Sequence, residues 1–199
     1  MRISRTLNDT DRPLAGSRYV VYFGLAVAGC AIDLVTKQAI FAWRGLPRRG
    51  NEWWIVEPYF GIETSVNRGA LFGMGAGYWW LFATLSVLAL IGILTWLFVY
   101  RAAHDRWLTV ALGFVSAGIL GNLYDRLGLW DASGLPPEFH HGVRDWILFR
   151  YGEWTWPNFN IADSLLVTGA IMLVVHAFVW RQPEAEGDRS PESGASSGT

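Results

Sequence analysis

Three acidic residues inside apolar segments are the first candidates for chemistry. Asp33, Asp125 and Asp163 each lie within, or at the end of, a long and mostly apolar stretch. A carboxylate in such a position is costly unless it is paired or faces water. Acids that converge on one polar site suit general acid–base catalysis, and they also suit the lined cavity of a small transporter or channel subunit. The sequence therefore predicts one polar site to which several segments contribute.

Two of these acids have basic neighbours that suggest a structural role. Asp33 and Lys37 are four residues apart with the acid first, the favourable order for an ion pair on a helix. We interpret them as a structural pair that braces a site. Asp125 and Arg126 suit either charges at a membrane interface or members of the site, and the sequence leaves both interpretations open.

Further polar residues suit helix ends, turns or loops. Asp163 follows Asn160 by three residues, so Asn160 suits the N-cap of a helix and Asp163 its first turn. That placement does not exclude catalysis by Asp163. Asn67 and Asn122 suit a turn or a helix end. From the sequence alone, Asp145 in HGVRDWILF is predicted to be a solvated charge in a loop.

Other catalytic chemistries find less support. Lys37 is the only lysine in the chain, and a Ser–Lys dyad would require Ser116 or Ser164 to reach it from another helix. That dyad stays an alternative. The adjacent His140 and His141 form no HExxH or comparable metal-binding spacing. We therefore expect neither a metal ion nor a cofactor.

Four apolar segments must position these residues. Residues 78–100 contain no charge over 23 positions, and a membrane span needs about 20 apolar residues. The chain is 52% hydrophobic, 17% charged and nearly neutral, with one Cys, which excludes a disulfide framework and gives no support to nucleic-acid binding. The predicted fold class is an all-α membrane protein with four transmembrane helices. The predicted spans are about 19–43, 78–100, 107–129 and 161–180.

The spacing along the helices places two of the acids at nearly the same depth. Asp125 lies 19 residues after Arg106, or about 28 Å along a helix. Asp163 lies 18 residues before Arg181, or about 27 Å. Both carboxylates therefore lie in the outer part of a hydrocarbon core about 30 Å thick.

Arg and Lys near the span ends predict the orientation. Arginines before span 1, in the 101–106 turn and after span 4 favour cytoplasmic termini, whereas four arginines in the loop after span 1 oppose this. The loops 44–77 and 131–160 would then lie outside. The first loop contains EWWIVEPYFGIETSV, which predicts short strands. The 1–17 tail is assigned to the cytoplasm, as is the 182–199 tail, whose composition predicts disorder.

Five motifs in order resemble one known family. They are DLVTK at 33–37, NRGALFG at 67–73, GNLYDR at 121–126, the Asp of HGVRDW at 145, and FNIAD at 159–163. From about residue 18 to 181 the chain resembles the lipoprotein signal peptidases, or signal peptidases II, which are bacterial membrane aspartyl proteases. The resemblance implies a four-helix bundle with a small β-structured extracytoplasmic cradle, in the cytoplasmic (inner) membrane.

The resemblance also implies an activity and its residues. The activity is removal of signal peptides from prolipoproteins, by cleavage just before the diacylglyceryl-modified cysteine. The implied catalytic pair is Asp145 and Asp163, which overrides the loop interpretation of Asp145. The implied supporting or substrate-binding residues are Asp33, Lys37, Asn67, Asn122, Asp125, Arg126 and Asn160. The expected partners are these precursors and membrane lipid, without nucleic acid, and we expect a monomer.

Two features depart from the family pattern. Arg144 and Trp146 flank Asp145, where the family commonly has VVDF, and a longer insert, DASGLPPEFHHG, precedes them. The insert makes Asp131 a rival to Asp145 by position. Asp145 is preferred because its 18-residue step to Asp163 suits the family. Leu71 stands where a small residue is common.

Overall fold

Four long helices form the frame of the molecule, for which the computed structural model describes residues 13–69 and 74–179. The helices are α1 (Gly16–Arg44), α2 (Trp79–Leu94), α3 (Arg106–Arg126) and α4 (Ile161–Val179). A π-helical segment, Thr95–Val99, continues α2. Each helix, with α2 counted through this segment, is long and apolar enough to cross a membrane. The predicted four-helix membrane fold is confirmed. The predicted tails lie almost wholly outside the described residues.

The central helix is α3, because it packs against the other three. Twelve of its 21 residues are buried. Small residues let the neighbouring backbones approach closely, as is common between membrane helices. A side chain at Gly118 would overlap the carbonyl oxygen of Ala162 on α4, and one at Gly121 would overlap the Asp33 carboxylate of α1. By contrast, α2 and α4 expose most of their apolar surface, as lipid-facing helices do.

A glycine ends α3 three residues before the predicted boundary. Gly128 adopts a left-handed conformation with φ +68°, and its backbone N–H donates to the carbonyl of Asp125 at 2.9 Å. Such a glycine is a common helix terminator. Asp125 and Arg126 therefore occupy the last turn of α3, beside the loop that leads to the site.

The four strands form one antiparallel sheet in the order β1-β2-β3-β4. They are β1 (Trp53–Val56), β2 (Phe60–Asn67), β3 (Val143–Tyr151) and β4 (Trp154–Phe159). The pair β1–β2 connects α1 to α2, and the pair β3–β4 connects α3 to α4, so the sheet lies at the end of the bundle where α1 and α3 finish. The first pair lies in the segment predicted to form strands, whereas β3 and β4 were not predicted.

The opposite end of the bundle contains an apolar cluster, here called the turn-end cluster. Its buried members are Tyr22, Leu97, Ala103, Leu108 and Leu112. Beside it, Asp105 caps α3 by accepting from the Leu108 N–H at 3.0 Å, and its carboxylate contacts His176 of α4 at 2.5 Å. These contacts join the two helices at the end remote from the sheet.

Candidate active site

The two acids implied by the resemblance open onto one cavity of about 800 Å³. Asp145 lies near the start of β3 and is only 2% exposed, so its prediction as a solvated loop charge was wrong. Asp163 lies in the first turn of α4 and is half-buried. Much of the apolar cavity wall comes from α2, α3 and α4, and β3 and β4 supply the rest; the helical part includes Phe82, Leu85, Ala89, Ile119, Leu166 and Val167.

Reciprocal capping at the start of α4 fixes Asp163. The Asp163 N–H donates to Asn160 Oδ1 at 3.0 Å, and the Asn160 N–H donates to Asp163 Oδ2 at 3.2 Å. This arrangement satisfies two helix-terminal donors at once and confirms the predicted cap. Asn122 of α3 donates its side-chain amide to Asp163 Oδ1 at 2.8 Å. The carboxylate is therefore bound from its own helix and from α3.

An asparagine joins Asp145 to the same group. The side-chain amide of Asn160 donates to Asp145 Oδ1 at 2.7 Å and to Asn122 Oδ1 at 3.1 Å. Burial raises the pKa of Asp145 well above its usual value, and the negative charge of Asp163 raises it further. Asp145 therefore retains a proton under conditions in which an exposed aspartate would lose it.

A buried ion network lies behind the two acids. Lys37 Nζ lies 2.8 Å from Asp33 Oδ2 and 3.2 Å from Asp125 Oδ2, and all three side chains are 0% exposed. The same ammonium donates to Asn122 Oδ1 at 3.0 Å. Asp33 Oδ1 accepts from the backbone N–H of Ala162 on α4 at 2.8 Å. The predicted Asp33–Lys37 pair is confirmed, and it touches the helix that carries Asp163.

The contacts of Lys37 also decide against the Ser–Lys alternative. Its ammonium is paired with the carboxylates of Asp33 and Asp125. Ser116 is hydrogen-bonded to the hydroxyl of Tyr22 at 2.7 Å, and Ser164 donates to the carbonyl of Asn160 at 3.2 Å. Neither serine is placed to give a proton to Lys37.

Asn67 and Arg126 supply polar groups to another part of the cavity wall. Asn67 ends β2, and its Oδ1 accepts from the Gly69 N–H at 3.0 Å. Arg126 is 7% exposed, donates to the carbonyl of Gly69, and lies 4.9 Å from the centroid of the Phe82 ring. Arg126 is therefore a member of the site. Its Nη1 atom has no hydrogen-bond partner among the described residues.

The rival acid, Asp131, lies outside the site. Its side chain is exposed, accepts from the Ser133 N–H at 3.0 Å, and is not among the described residues that line the cavity. Hydrogen bonds from the side chain and backbone of Ser133 lower the pKa of Asp131. The longer insert therefore brings no second acid to the cavity.

Sequence reasoning missed Arg144 as a member of the site. Its guanidinium donates to Asp125 Oδ1 from Nε at 3.0 Å and from Nη2 at 2.7 Å, and the residue is 2% exposed. Recognition of 143–151 as a strand would have given a signal, because neighbours in a strand point to opposite faces. Arg144 would then lie behind Asp145.

The arrangement suits proton transfer between two carboxyl groups and a bound water. One acid is deeply buried, the other is half-buried, and asparagine amides orient both. Within residues 13–69 and 74–179, no group of three or more His, Cys, Asp or Glu is placed to hold a metal ion. His141 instead stacks on Trp79 with ring centroids 3.8 Å apart.

Comparison with known proteins identifies the family. The sequence profile of "Signal peptidase (SPase) II" matches residues 25–179. A lipoprotein signal peptidase of Rhodopirellula baltica is 57% identical over 179 residues, which cover 88% of this chain and 80% of the relative. One of Geobacillus thermodenitrificans is 33% identical over 171 residues, covering 86% and 98%.

The fold also matches solved structures. One described as a bacterial membrane enzyme, determined by the in meso method at 1.9 Å, aligns with a TM-score of 0.64 at 23% identity. The match covers 88% of this chain and 100% of that one, and it supports the helical frame with its small sheet. On its sequence and its fold, this chain belongs to the signal peptidase II family and is a membrane peptidase.

Proposed function

We propose that the protein is an aspartic endopeptidase that removes signal peptides from lipoprotein precursors, with Asp145 and Asp163 as its catalytic pair. The observation that carries the proposal is the placement of both carboxyl groups in one cavity, joined through Asn160 and Asn122. Family membership favours this peptidase over a transporter or channel subunit.

The mechanism follows from the unequal surroundings of the two acids. Two close carboxylates do not both ionise readily, so the pair holds one proton and titrates as a unit. The raised pKa of the more deeply buried Asp145 supports Asp145 as the residue that carries this proton. Asp163 then accepts a proton from the water that attacks the scissile carbonyl. Asp145 donates a hydrogen bond to the carbonyl oxygen and afterwards supplies the proton for the leaving amine.

Other residues of the cavity wall hold the peptide. Arg126 Nη1 is a donor without a partner among the described residues, and it suits a carbonyl oxygen of the substrate. Asn67 lines the same cavity from the end of β2. These groups act in binding. The buried ion network of Asp33, Lys37 and Asp125 instead stabilises the packing of the helices behind the two acids.

The cavity also suits the lipid part of the substrate. Its apolar wall lies between membrane helices, where diacylglyceryl chains can stay in the hydrocarbon while the peptide reaches the acids. The relatives are named lipoprotein signal peptidases, which supports precursors of this kind as substrates. Cleavage is proposed just before the modified cysteine.

A direct assay tests this function. Purified protein should cleave a diacylglyceryl-modified prolipoprotein, with or without EDTA, and should leave the unmodified precursor largely intact. Asp145→Asn and Asp163→Asn should each abolish cleavage, because an amide keeps the shape but cannot relay the proton. Asp131→Asn is the matched control and should cleave normally. Full activity of either catalytic variant would remove that residue from the pair. An inactive Asp131→Asn would mean that Asp131, and not Asp145, is the catalytic acid of this loop.

The proposed location is the bacterial cytoplasmic membrane, with both termini in the cytoplasm and the sheet on the outer face. A cysteine at Ser133, in a Cys30→Ala background, should react with a membrane-impermeant thiol reagent in intact cells, with any outer membrane permeabilised. Ser133 is exposed, so a reagent can reach it. A cysteine at Ser190, outside the described residues, should react only after lysis. The reverse pattern would contradict this orientation.

A further inference from the structure

Arg144 lies directly behind a catalytic acid rather than in the cavity. It precedes Asp145 on β3, and successive residues of a strand point to opposite faces. Asp145 lines the cavity, whereas Arg144 is not among the described residues that do so. The guanidinium is nevertheless 98% buried, since the residue is 2% exposed. A buried cation in this position needs a partner.

The charged partner is the Asp125 carboxylate on α3, and Arg144 Nη1 also donates to Gln38 Oε1 on α1 at 3.4 Å. Asp125 Oδ1 accepts from Nε and Nη2 of Arg144 at 3.0 and 2.7 Å. Asp125 Oδ2 accepts from the backbone N–H of Arg144 at 2.9 Å. The guanidinium lies 5.2 Å from the centroid of the Trp130 ring, which belongs to the segment leading into the insert. Both the main chain and the side chain next to Asp145 are therefore bound to α3.

Arg144 also balances the charge of the buried network. Asp33 and Asp125 carry two negative charges, and Lys37 and Arg144 carry two positive charges, all at 2% exposure or less. Without Arg144, the single positive charge of Lys37 would have to compensate both carboxylates. One buried negative charge would then be uncompensated. Such a charge is strongly unfavourable in a protein interior.

We propose that Arg144 is a positioning residue for catalysis, which fixes Asp145 through β3 and neutralises Asp125 behind the catalytic pair. The proposal rests on the proposed function. In this chain Trp130 covers the guanidinium and excludes water from it.

The effect on pH depends on the charged groups of every element packed around the pair. These are Asp33 and Lys37 on α1, Asp125 and Arg126 on α3, Arg144 on β3, and Glu63 on β2, which accepts from Asn158. Loss of Arg144 alone leaves Asp125 less compensated. Its negative charge then makes ionisation of the catalytic pair harder, so the acid limb of the kcat–pH profile should move to higher pH.

Three variants separate charge from geometry. Arg144→Met should lower kcat about tenfold or more at neutral pH, move the acid limb upward, and leave KM nearly unchanged, because the side chain does not line the cavity. Arg144→Lys keeps the charge without the two hydrogen bonds that converge on Asp125 Oδ1, so kcat should fall by only about threefold with an unshifted limb. Asp125→Asn with Arg144→Met removes both charges and should return the limb to its wild-type position.

Arg150 offers a matched control on the same strand. It donates to Glu52 at 2.8 Å and lies 4.9 Å from the centroid of Trp54, so it has the same kinds of partner, but its side chain is 29% exposed and Glu52 is not part of the network behind the pair. Arg150→Met should keep the wild-type kcat and acid limb. Thermal melting of each variant in detergent, followed by Trp fluorescence, reports folding.

The outcomes distinguish this proposal from the proposed function. Wild-type kcat and pH profile in Arg144→Met would overturn the role of Arg144, as would an equal change in Arg150→Met. Loss of cleavage in Asp145→Asn would still support the function in both cases. If Arg144→Met does not fold, Arg144→Lys and the double variant decide, and wild-type kcat in both would overturn the proposal.

Discussion

The two ends of the helix bundle are held together by different interactions. At the sheet end, α1, α3 and β3 meet through four buried charged groups, Asp33, Lys37, Asp125 and Arg144. At the other end, α1 and α3 meet through the turn-end cluster, whose buried side chains are apolar except for the Tyr22 hydroxyl. The same pair of helices thus uses charge pairing near the cavity and apolar packing far from it.

The two kinds of contact respond differently to substitution of one side chain. Apolar contacts lose stability gradually when a side chain is shortened. A buried ion pair behaves differently, because removal of one partner leaves the other charge unpaired, which costs about 3–5 kcal/mol. We therefore expect stability to depend on both ends, and activity to depend on the sheet end alone.

The largest effect should come from Lys37→Met. It leaves Asp33 and Asp125 without their shared cation, so the free energy of unfolding should fall by about 3–5 kcal/mol and cleavage should be lost. Reversible unfolding in mixed micelles and the precursor assay measure both. Arg48→Met, which changes an exposed arginine, should shift stability by less than about 0.5 kcal/mol. Wild-type stability in Lys37→Met would contradict the charge-paired interpretation of this end.

Leu97→Ala tests the opposite end. Leu97 is 0% exposed within the turn-end cluster, and its truncation should cost about 2–3 kcal/mol through lost packing. The kcat of the folded enzyme should stay at the wild-type value, measured below the melting temperature. Leu88→Ala is the matched control on α2, where the side chain is 57% exposed. A fall in kcat for Leu97→Ala without loss of stability would mean that the two ends are coupled.

Gly121→Ala introduces a methyl group into the sheet end without removing any charge. The added Cβ would overlap the Asp33 carboxylate and lie 3.2 Å from the Cβ of Ala162, so α1 and α4 must both move away from α3. Overpacking of this kind costs about 1–3 kcal/mol and should lower kcat through displacement of α4. Gly24→Ala on α1 meets nothing within 4 Å and should have little effect on either quantity. Equal behaviour of the two variants would contradict the close approach at Gly121.

The smallest effect concerns Asp145 and the pH dependence of stability. Its pKa is raised in the folded protein, so the stabilisation that its proton provides is complete below the usual aspartate pKa of about 4 and is lost as pH rises through the folded value. Asp145→Asn should therefore become progressively more stable than the wild type as pH rises above about 4. Melting temperatures across pH measure the difference.

Asp131→Asn should show the opposite sign. The lowered pKa of Asp131 means that its stabilisation is present above the usual value and is lost as pH falls. A stability difference for Asp145→Asn that shrinks with rising pH would contradict the burial of an acid at this position.

Local sequence relationships predicted the parts of the site that lie on single helices. Asp33 and Lys37 are one turn apart, and Asn160 and Asp163 belong to one cap, so helix geometry alone brings each pair together. The depth of Asp125 and Asp163 followed from the rise per residue. The long and mostly apolar segments were sufficient to predict the four helices.

Contacts between distant segments could not be predicted in the same way. Residues 131–160 were predicted only as a loop, yet β3 forms because its hydrogen bonds are completed by the distant β2, and β4 in turn pairs with β3. The burial of Asp145 depends on that sheet, so only the family resemblance indicated its importance. The pairing of Arg144 with Asp125 depends on how β3 packs against α3. This packing cannot be deduced from the sequence of either segment alone.

The hydrogen bond from Ala162 to Asp33 has a consequence for biogenesis. Asp33 lies on the first helix to be synthesised, and Ala162 precedes Asp163 on the last. A nascent chain with only three inserted helices lacks Asp163. The backbone N–H of Ala162 meets its acceptor, Asp33, only when the fourth helix packs against the first. The ribosome must therefore finish the peptidase domain before any precursor can be cut. The first and last helices of that domain must also have met in the bilayer.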